Sequence, residues 1–421
     1  MTGATAIDLE NLPDAPSLEA EAGASAFRKA AIVTGIAGAL LAFGWLIDDS
    51  PGKRQFYYSY LWGYVWALSV SLGALFWNIF HHVAAAGWSV GIRRTFENIT
   101  RAIPVLAVLF IPVAIGHHTI FKWADATDMK NGKEVWLSSG FFLFRFVVYF
   151  GVWIAYSYSL RKWSLQSDAT EDLEERKKLL RKMEFYAPSG LLLLALTSTF
   201  AAFDLMMSLN YHWFSTIFAV IFWADSIRGS LCSCVLFVLG LRSAGYLRNT
   251  VTSEHFHDMG KLMLAFTVFW AYVAFCQYFL YWYGNMPEET KWYWDRRADT
   301  WYQMSILLPI CYFGVPFLVL LPRGNKRNPK TIGFVAAWVV FFQMFHLYWE
   351  IMPEGLKATV HDRPSAGVSV HWLDVASIVG FGGAMVCSVL YGYRHYPLIP
   401  IRDPRLAESI HHEVDEFGDP K

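Results

Sequence analysis

Charged side chains are scarce in this chain. Asp, Glu, Lys and Arg make up 17% of its 421 residues, and 35 bases balance 35 acids. A zero net charge offers no basic surface, so nothing points to nucleic acid. Cysteine is sparse too: Cys232, Cys234, Cys276, Cys311 and Cys387, with no CxxC pair and no ferredoxin-like run. The chain is therefore not expected to hold an iron–sulfur cluster. All five cysteines fall within apolar runs, where the thiol acts as a small hydrophobe. Histidine is nearly missing from the interior of those runs, with only His346 lying clear of a run's ends. A transmembrane b-type haem needs axial histidines from neighbouring helices. No haem is expected in this chain, so any electrons handled here must leave to a partner. Residues 1–26 contain five acids and no Lys or Arg, unlike the basic start of a signal peptide. Residues 1–29 are read as a cytoplasmic tail, mobile or bound to a partner.

What fills the chain instead is apolar surface. Hydrophobic residues reach 55% and aromatics 17%. Ten runs are long enough to cross a bilayer, roughly 30–47, 57–80, 102–118, 136–160, 186–208, 213–241, 262–283, 301–321, 331–350 and 372–393. They are continuous and do not alternate every second residue, which argues against a barrel and for helices. The 19 Trp and 21 Tyr suit the two interfacial belts. The expected fold is an all-α integral membrane protein with ten transmembrane helices, residues 30–393, and a cytoplasmic tail at 394–421. Loops on the side of the termini carry 23 Lys and Arg against 10 on the other side. By the positive-inside rule both termini face the cytoplasm.

Local signals refine this picture. Asp168 to Glu171 has the spacing of a capping box opening a short surface helix, with Glu174 and Lys178 one turn apart behind it. Only a few residues, about Leu209 to Trp213, join spans 5 and 6, so these must be antiparallel neighbours. Pro104 and Pro112 in span 3, and Pro309 and Pro316 in span 8, remove backbone donors and predict kinks. Bent membrane helices border cavities or simply pack, and both readings stay open.

Charge inside a span is costly and marks candidate chemistry. His117 and His118 close span 3. Arg145 lies near the middle of span 4. Asp204 lies roughly 27 Å into span 5 at 1.5 Å per residue. Asp225 and Arg228 share one face of span 6. These six are placed between the outer surface and the midplane. In one reading Arg145 or Arg228 pairs with Asp225 and the charges hold helices together. In the other, the histidines and acids bind a hydroquinone and take its protons, which needs groups that titrate near working pH. A second set, His81, His82, Glu184, His255 and His257 near the cytoplasmic span ends and His346 and Glu350 toward the outer end of span 9, either lines proton half-channels or is scattered along the interfaces.

Three stretches carry a resemblance. Asp204-Leu-Met-Met-Ser-Leu-Asn-Tyr-His-Trp-Phe-Ser-Thr-Ile217 resembles a D-x-x-M-S-L-x-x-x-W-F-S-T-I hairpin. Phe275-Cys-Gln-Tyr-Phe-Leu-Tyr-Trp-Tyr-Gly-Asn-Met-Pro-Glu-Glu-Thr290 resembles a Q-x-F-L-x-W-Y-x-N-x-P-E-E-T segment leaving span 7. Gly87-Trp-Ser-Val-Gly-Ile-Arg-Arg94 resembles a cytoplasmic 2–3 loop. All three are similar to the membrane subunits of alternative complex III, distant relatives of the NrfD and polysulfide-reductase anchors. The resemblance runs from span 1 to span 10. It implies two four-helix bundles, spans 2–5 and 6–9, with spans 1 and 10 outside them. It further implies a complex in the bacterial inner membrane that oxidises quinol. Expected partners are a larger sister membrane subunit, a molybdopterin-type iron–sulfur subunit at the periplasm, c-type cytochrome subunits, lipids and a terminal oxidase. The modest length and short loops fit the smaller, ActF-type sister. Such a subunit binds no cofactor of its own and serves quinol interaction, proton conduction or assembly, without catalysis alone. An anchor of a periplasmic molybdenum or iron–sulfur reductase, and a secondary transporter with a midplane charge site, are the alternatives.

Overall fold

The structure is a computed structural model that describes residues 17–129, 132–297, 299–356 and 367–412. Residues 1–16 and 413–421 of the two expected tails lie outside the described residues, as do Lys130, Lys357 and Arg363 of the loop-charge asymmetry. Among the described residues there are helices and no strands, and ten helices are long and apolar enough to span a membrane. The chain is an all-α, multi-pass membrane protein. Its spans are α1 (Ala20–Ile47), α2 (Arg54–Val83), α3 (Val90–Ile115), α4 (Ser139–Ala169), α5 (Leu173–Leu205), α6 (Phe218–Ser243), α7 (Ser253–Gly284), α8 (Asp299–Leu320), α9 (Pro329–Leu356) and α10 (Trp372–His395). An even number of crossings brings the start of α1 and the finish of α10 to one end, the terminal end. The opposite is the far end.

Several helices outrun their apolar stretches, because a helix satisfies its own backbone and does not need lipid to continue. α4 runs on to Ala169 and α5 starts at Leu173, well before residue 186. This corrects the capping-box expectation. Asp168 is still inside α4, where it pairs with Arg94 of α3. The residue that caps α5 is Asp172, whose Oδ1 accepts from the Glu174 amide at 3.1 Å. Glu174 pairs with Lys177 at 2.8 Å, while Lys178 reaches Glu175 at 3.6 Å.

Packing divides the helices into two groups. α2 touches α3, α4 and α5, and α4 touches α3 and α5. α6, α7, α8 and α9 form the second set of mutual contacts. α2 and α6 lie at the junction and are the most enclosed spans. A side chain at Gly73 would collide with the Ser226 carbonyl, so glycine there lets α2 approach α6 closely. α10 packs on α2 and α3, and α1 leans almost wholly on α10. The outer face of α1 exposes Ile32, Val33, Ile36, Leu40 and Phe43, as a lipid-facing span does.

The prolines act where their chemistry requires. Pro104 and Pro112 have no N–H for the carbonyls of Thr100 and Val108, four residues upstream. α3 is interrupted right there, as segments Val90–Ile99, Ala102–Val108 and Ile111–Ile115. The Tyr60 hydroxyl donates to the Leu109 carbonyl at the second break, at 2.8 Å. In α8 the disturbance is a wider π turn, Pro309–Gly314.

Candidate functional site

The buried charges of the second bundle converge. Asp225 and Arg228 lie three residues apart on α6, and His346 and Glu350 four apart on α9, so each pair shares a face. Asp225 Oδ2 lies 2.6 Å from His346 Nδ1. The Tyr312 hydroxyl of α8 donates to Asp225 Oδ1 at 2.8 Å. Gln343 Nε2 donates to the Asp225 carbonyl and to Ser69 Oγ of α2, both at 3.1 Å. On the other side of the imidazole, His346 Nε2 lies 3.5 Å from Glu350 Oε1. Asp225, His346 and Glu350 thus form a continuous acid–base row, with either ring nitrogen able to hold the proton.

Arg228 is placed by a proline. Pro316 cannot donate to the carbonyl of Tyr312, four residues before it. That carbonyl turns to Arg228 Nη1, which donates to it at 3.2 Å. The guanidinium lies 3.7 Å from the Tyr312 ring centre and 3.6 Å from Asp225 Oδ1. The neighbouring Cys311 carbonyl accepts from Trp338 Nε1 at 2.7 Å. A π turn at a charged cluster is the kind of irregularity that recurs at functional sites.

A cavity of about 1130 Å³ opens beside this row, between α7, α8 and the short helix Pro287–Asp295. His346 and Glu350 form part of its wall, with Trp270, Gln277, Tyr293 and Trp349. Tyr272, Phe275, Trp282 and Ile306 line it as well, yet are largely exposed on membrane-spanning helices. Asn285, Trp294 and Arg297, between α7 and α8, are exposed lining too, so the mouth opens on the flank of the bundle at its far end. Two of the resembling motifs meet at this cavity. Gln277, Tyr278, Tyr281, Trp282, Asn285 and Thr290 of the 275–290 segment line it. The 204–217 hairpin locks onto the same roof: Ser215 Oγ donates to Gln277 Oε1 at 2.9 Å, and Tyr281 OH donates to the Phe214 carbonyl at 2.7 Å. Trp213 stacks on Trp292 with ring centres 4.7 Å apart.

Arg296 closes the far end of the cavity. Its guanidinium lies 3.4 Å from the Trp292 ring centre and donates to the carbonyls of Trp292, Trp349 and Glu350 at 2.9, 3.1 and 2.8 Å. Burial pulls it down to about 10 against the opposing pull of Glu354 and Glu350. It remains charged at neutral pH. Glu354, one turn beyond Glu350, has Oε1 4.0 Å from Arg296 Nη1.

The other residues singled out from sequence fall elsewhere. Arg145 sits in the first third of α4, not its middle, and pairs with Asp204 near the end of α5. Arg145 Nε donates to Oδ2 at 2.9 Å and Nη2 to Oδ1 at 2.8 Å. Tyr149 OH and Trp136 Nε1 complete the carboxylate at 3.0 and 3.2 Å. Neither member lines the cavity. His117 and His118 follow the end of α3. His117 Nε2 meets Ser139 Oγ at 3.0 Å and His118 meets exposed Asp125 at 2.7 Å. Partial burial lowers His117 below the ordinary histidine value.

At the terminal end Glu184 reaches Arg405 at 3.4 Å, His255 meets Ser409 at 3.1 Å and His257 lies 3.6 Å from Glu254. There too Arg93 of the 87–94 motif bonds Asp403 at 2.6 Å, His81 at 2.9 Å and Glu97 at 3.2 Å. Burial pushes Asp403 up, but Arg93 and Arg405 outweigh it and hold the carboxyl below its ordinary range. Among the described residues no three His, Cys, Asp or Glu side chains gather as metal ligands.

Tyr312, Gln343, Arg296 and Glu354 were not anticipated from sequence. Only Glu354 had a signal, since it continues the i, i+4 row of His346 and Glu350. Compared with known proteins, the sequence matches no family model and no curated protein.

Proposed function

We propose that this chain is a cofactor-free membrane subunit of a respiratory quinol oxidoreductase of the alternative complex III kind, and that quinol enters it through the aromatic cavity. The observation that carries this reading is the cavity of about 1130 Å³, much of whose exposed lining lies on spanning helices and whose inner wall holds His346 and Glu350. A quinol needs these two things together. Its prenyl tail keeps it in lipid, so it must enter from the flank, and its oxidation releases protons that need an acceptor within reach. The aromatic walls suit a flat ring, while the Asp225–His346–Glu350 row supplies the acceptor. The 275–290 segment, on which the resemblance mainly rests, forms much of the wall.

Under this proposal the termini face the cytoplasm of a bacterial inner membrane and the far end faces the periplasm. Electrons leave to iron–sulfur and c-type haem centres of partner subunits, beside a larger sister membrane subunit. Assembly is served by the Arg145–Asp204 pair and the terminal-end ion network. A photoreactive quinone analogue added to the intact complex tests the reading. The expected cross-links fall on α7, α8 and residues 287–296 of this chain. Cross-links confined to other subunits, with none in this chain, overturn it.

A further inference from the structure

One face of α9 becomes titratable at His346. Toward the terminal end the residues in register with it are Gln343, an amide held by Ser69 and the Asp225 carbonyl, and Phe342, Val339 and Val335, all buried and none titratable. Toward the far end they are Glu350 and Glu354, spaced four residues apart and only 7% and 3% exposed. Side chains at this spacing stand one above another along a helix. Three titratable groups thus climb from the level of Asp225 to two residues short of the finish of α9, and the row has no continuation in the other direction.

The surroundings support a path and not a sealed brace. The cavity gives on to the row at His346 and Glu350. His346 Nε2 is 3.5 Å from Glu350, and Arg296 spans the next step, bonding the Glu350 carbonyl at 2.8 Å and lying 4.0 Å from Glu354. Asp225, Arg228 and Tyr312 face the inner end of the row. Tyr293 and Asp295 flank the Arg296 step, and Tyr58 of α2 faces Glu354. By contrast the Asp204 carboxylate is met by donors from Arg145, Tyr149 and Trp136, and among the described residues no second carboxylate bonds with it.

We infer that His346, Glu350 and Glu354 form a one-way proton-release ladder from the cavity to the far face, with Arg296 as the positioning residue that keeps Glu350 and Glu354 in register. The inference rests on the quinol reading of the cavity. When a quinol is oxidised, each O–H bond breaks toward Glu350 or His346 Nε2. The proton passes to Glu354 and leaves at the far face. The two electrons leave separately to an iron–sulfur or c-type haem centre of a partner subunit, and the quinone remains. Protons and electrons from one substrate then part company inside the membrane.

The test uses the intact purified complex, with photoreactive quinone-analogue labelling of this chain and quinol turnover measured side by side. E354Q should leave labelling unchanged and lower turnover at least about tenfold, the loss expected when a proton-transfer group is removed. E354D, which keeps the carboxyl, should recover most of it. Unchanged labelling with wild-type turnover in E354Q overturns the ladder and leaves the quinol reading standing. No labelling of this chain in the wild type brings down the quinol reading itself. A measurement on the unmutated complex guards against a variant that does not assemble. With isotope-labelled glutamate, an infrared difference spectrum taken on quinol oxidation should show a glutamic acid band appearing. No such band overturns the ladder.

Discussion

Replacing Asp204 by alanine tests whether the first bundle holds a structural or a reactive charge. The carboxylate is fully buried and takes four donors: Arg145 through two nitrogens at 2.8 and 2.9 Å, Tyr149 at 3.0 Å and Trp136 at 3.2 Å. Alanine leaves the Arg145 guanidinium, 5% exposed, with one hydrogen bond to the Trp136 carbonyl and two aromatic faces. Stranding one member of a buried ion pair costs about 3–5 kcal/mol. The orphaned Tyr149 and Trp136 donors overlap with that figure, since each unpaired neutral donor alone costs about 1–3 kcal/mol. A loss on that scale, about two to three and a half factors of ten in the folded population, should appear as reduced yield of the complex and a lower thermal midpoint in detergent. The double variant Arg145→Met with Asp204→Leu removes both charges and fills similar volume. It should recover most of the stability, because replacing a whole buried pair with apolar groups is often neutral. Turnover per assembled complex should match wild type in the double variant. A stable D204A, or a stable double variant with lost turnover, would refute the reasoning.

Other outcomes follow from the remaining geometry. Asp225→Asn keeps the shape of the cluster but removes the carboxylate against His346 Nδ1, so under the proposed quinol reading turnover should fall while analogue labelling persists; equal turnover counts against the acid–base row. Pro316→Ala returns a backbone N–H to the Tyr312 carbonyl and competes with Arg228 for it, so labelling of the cavity wall should weaken; an unchanged pattern shows that the π turn does not set the wall. Asp403 is held below its ordinary value of 3.8 by Arg93 and Arg405 after burial has pushed it up. Its stabilisation is present above that value and lost as pH falls through the lowered one. Asp403→Asn should therefore be less stable than wild type at neutral pH, with the gap closing in acid, as followed by thermal unfolding. A periplasm-active reporter fused after residue 421 should be silent under the proposed orientation; strong activity reverses it.

Helical periodicity made much of this molecule legible in the order of its residues. Ten apolar runs could only be helices in lipid, since lipid leaves the backbone no other partner than itself. Turns of nearly four residues put Asp225 with Arg228 on a common face, and the same spacing joins His346 to Glu350 and, unread at first, to Glu354. Proline chemistry marked α3 as a bent helix, because each proline lacks the N–H that the preceding turn would have used, and the breaks fall within a few residues upstream of Pro104 and Pro112. The ends of α4 and α5 were less legible, since helices run past the apolar boundary into water without penalty.

Which faces meet is another matter. Nothing in the order of residues paired Arg145 with Asp204 and Asp225 with His346, instead of Arg145 with Asp225. That choice depends on how each helix is rotated and which neighbour it packs against, and Gly73 against Ser226 shows how one close approach sets such a rotation. The cavity is decided in the same way. Its lining comes from α6, α7, α8, α9 and the 287–295 helix, segments far apart in sequence, and its volume is the space their side chains fail to fill. Sequence alone determined the helices and which of them bend; tertiary packing decided which charges neutralise one another and which are left facing an open space, because hydrogen bonds of a helix are local and contacts between helices are not.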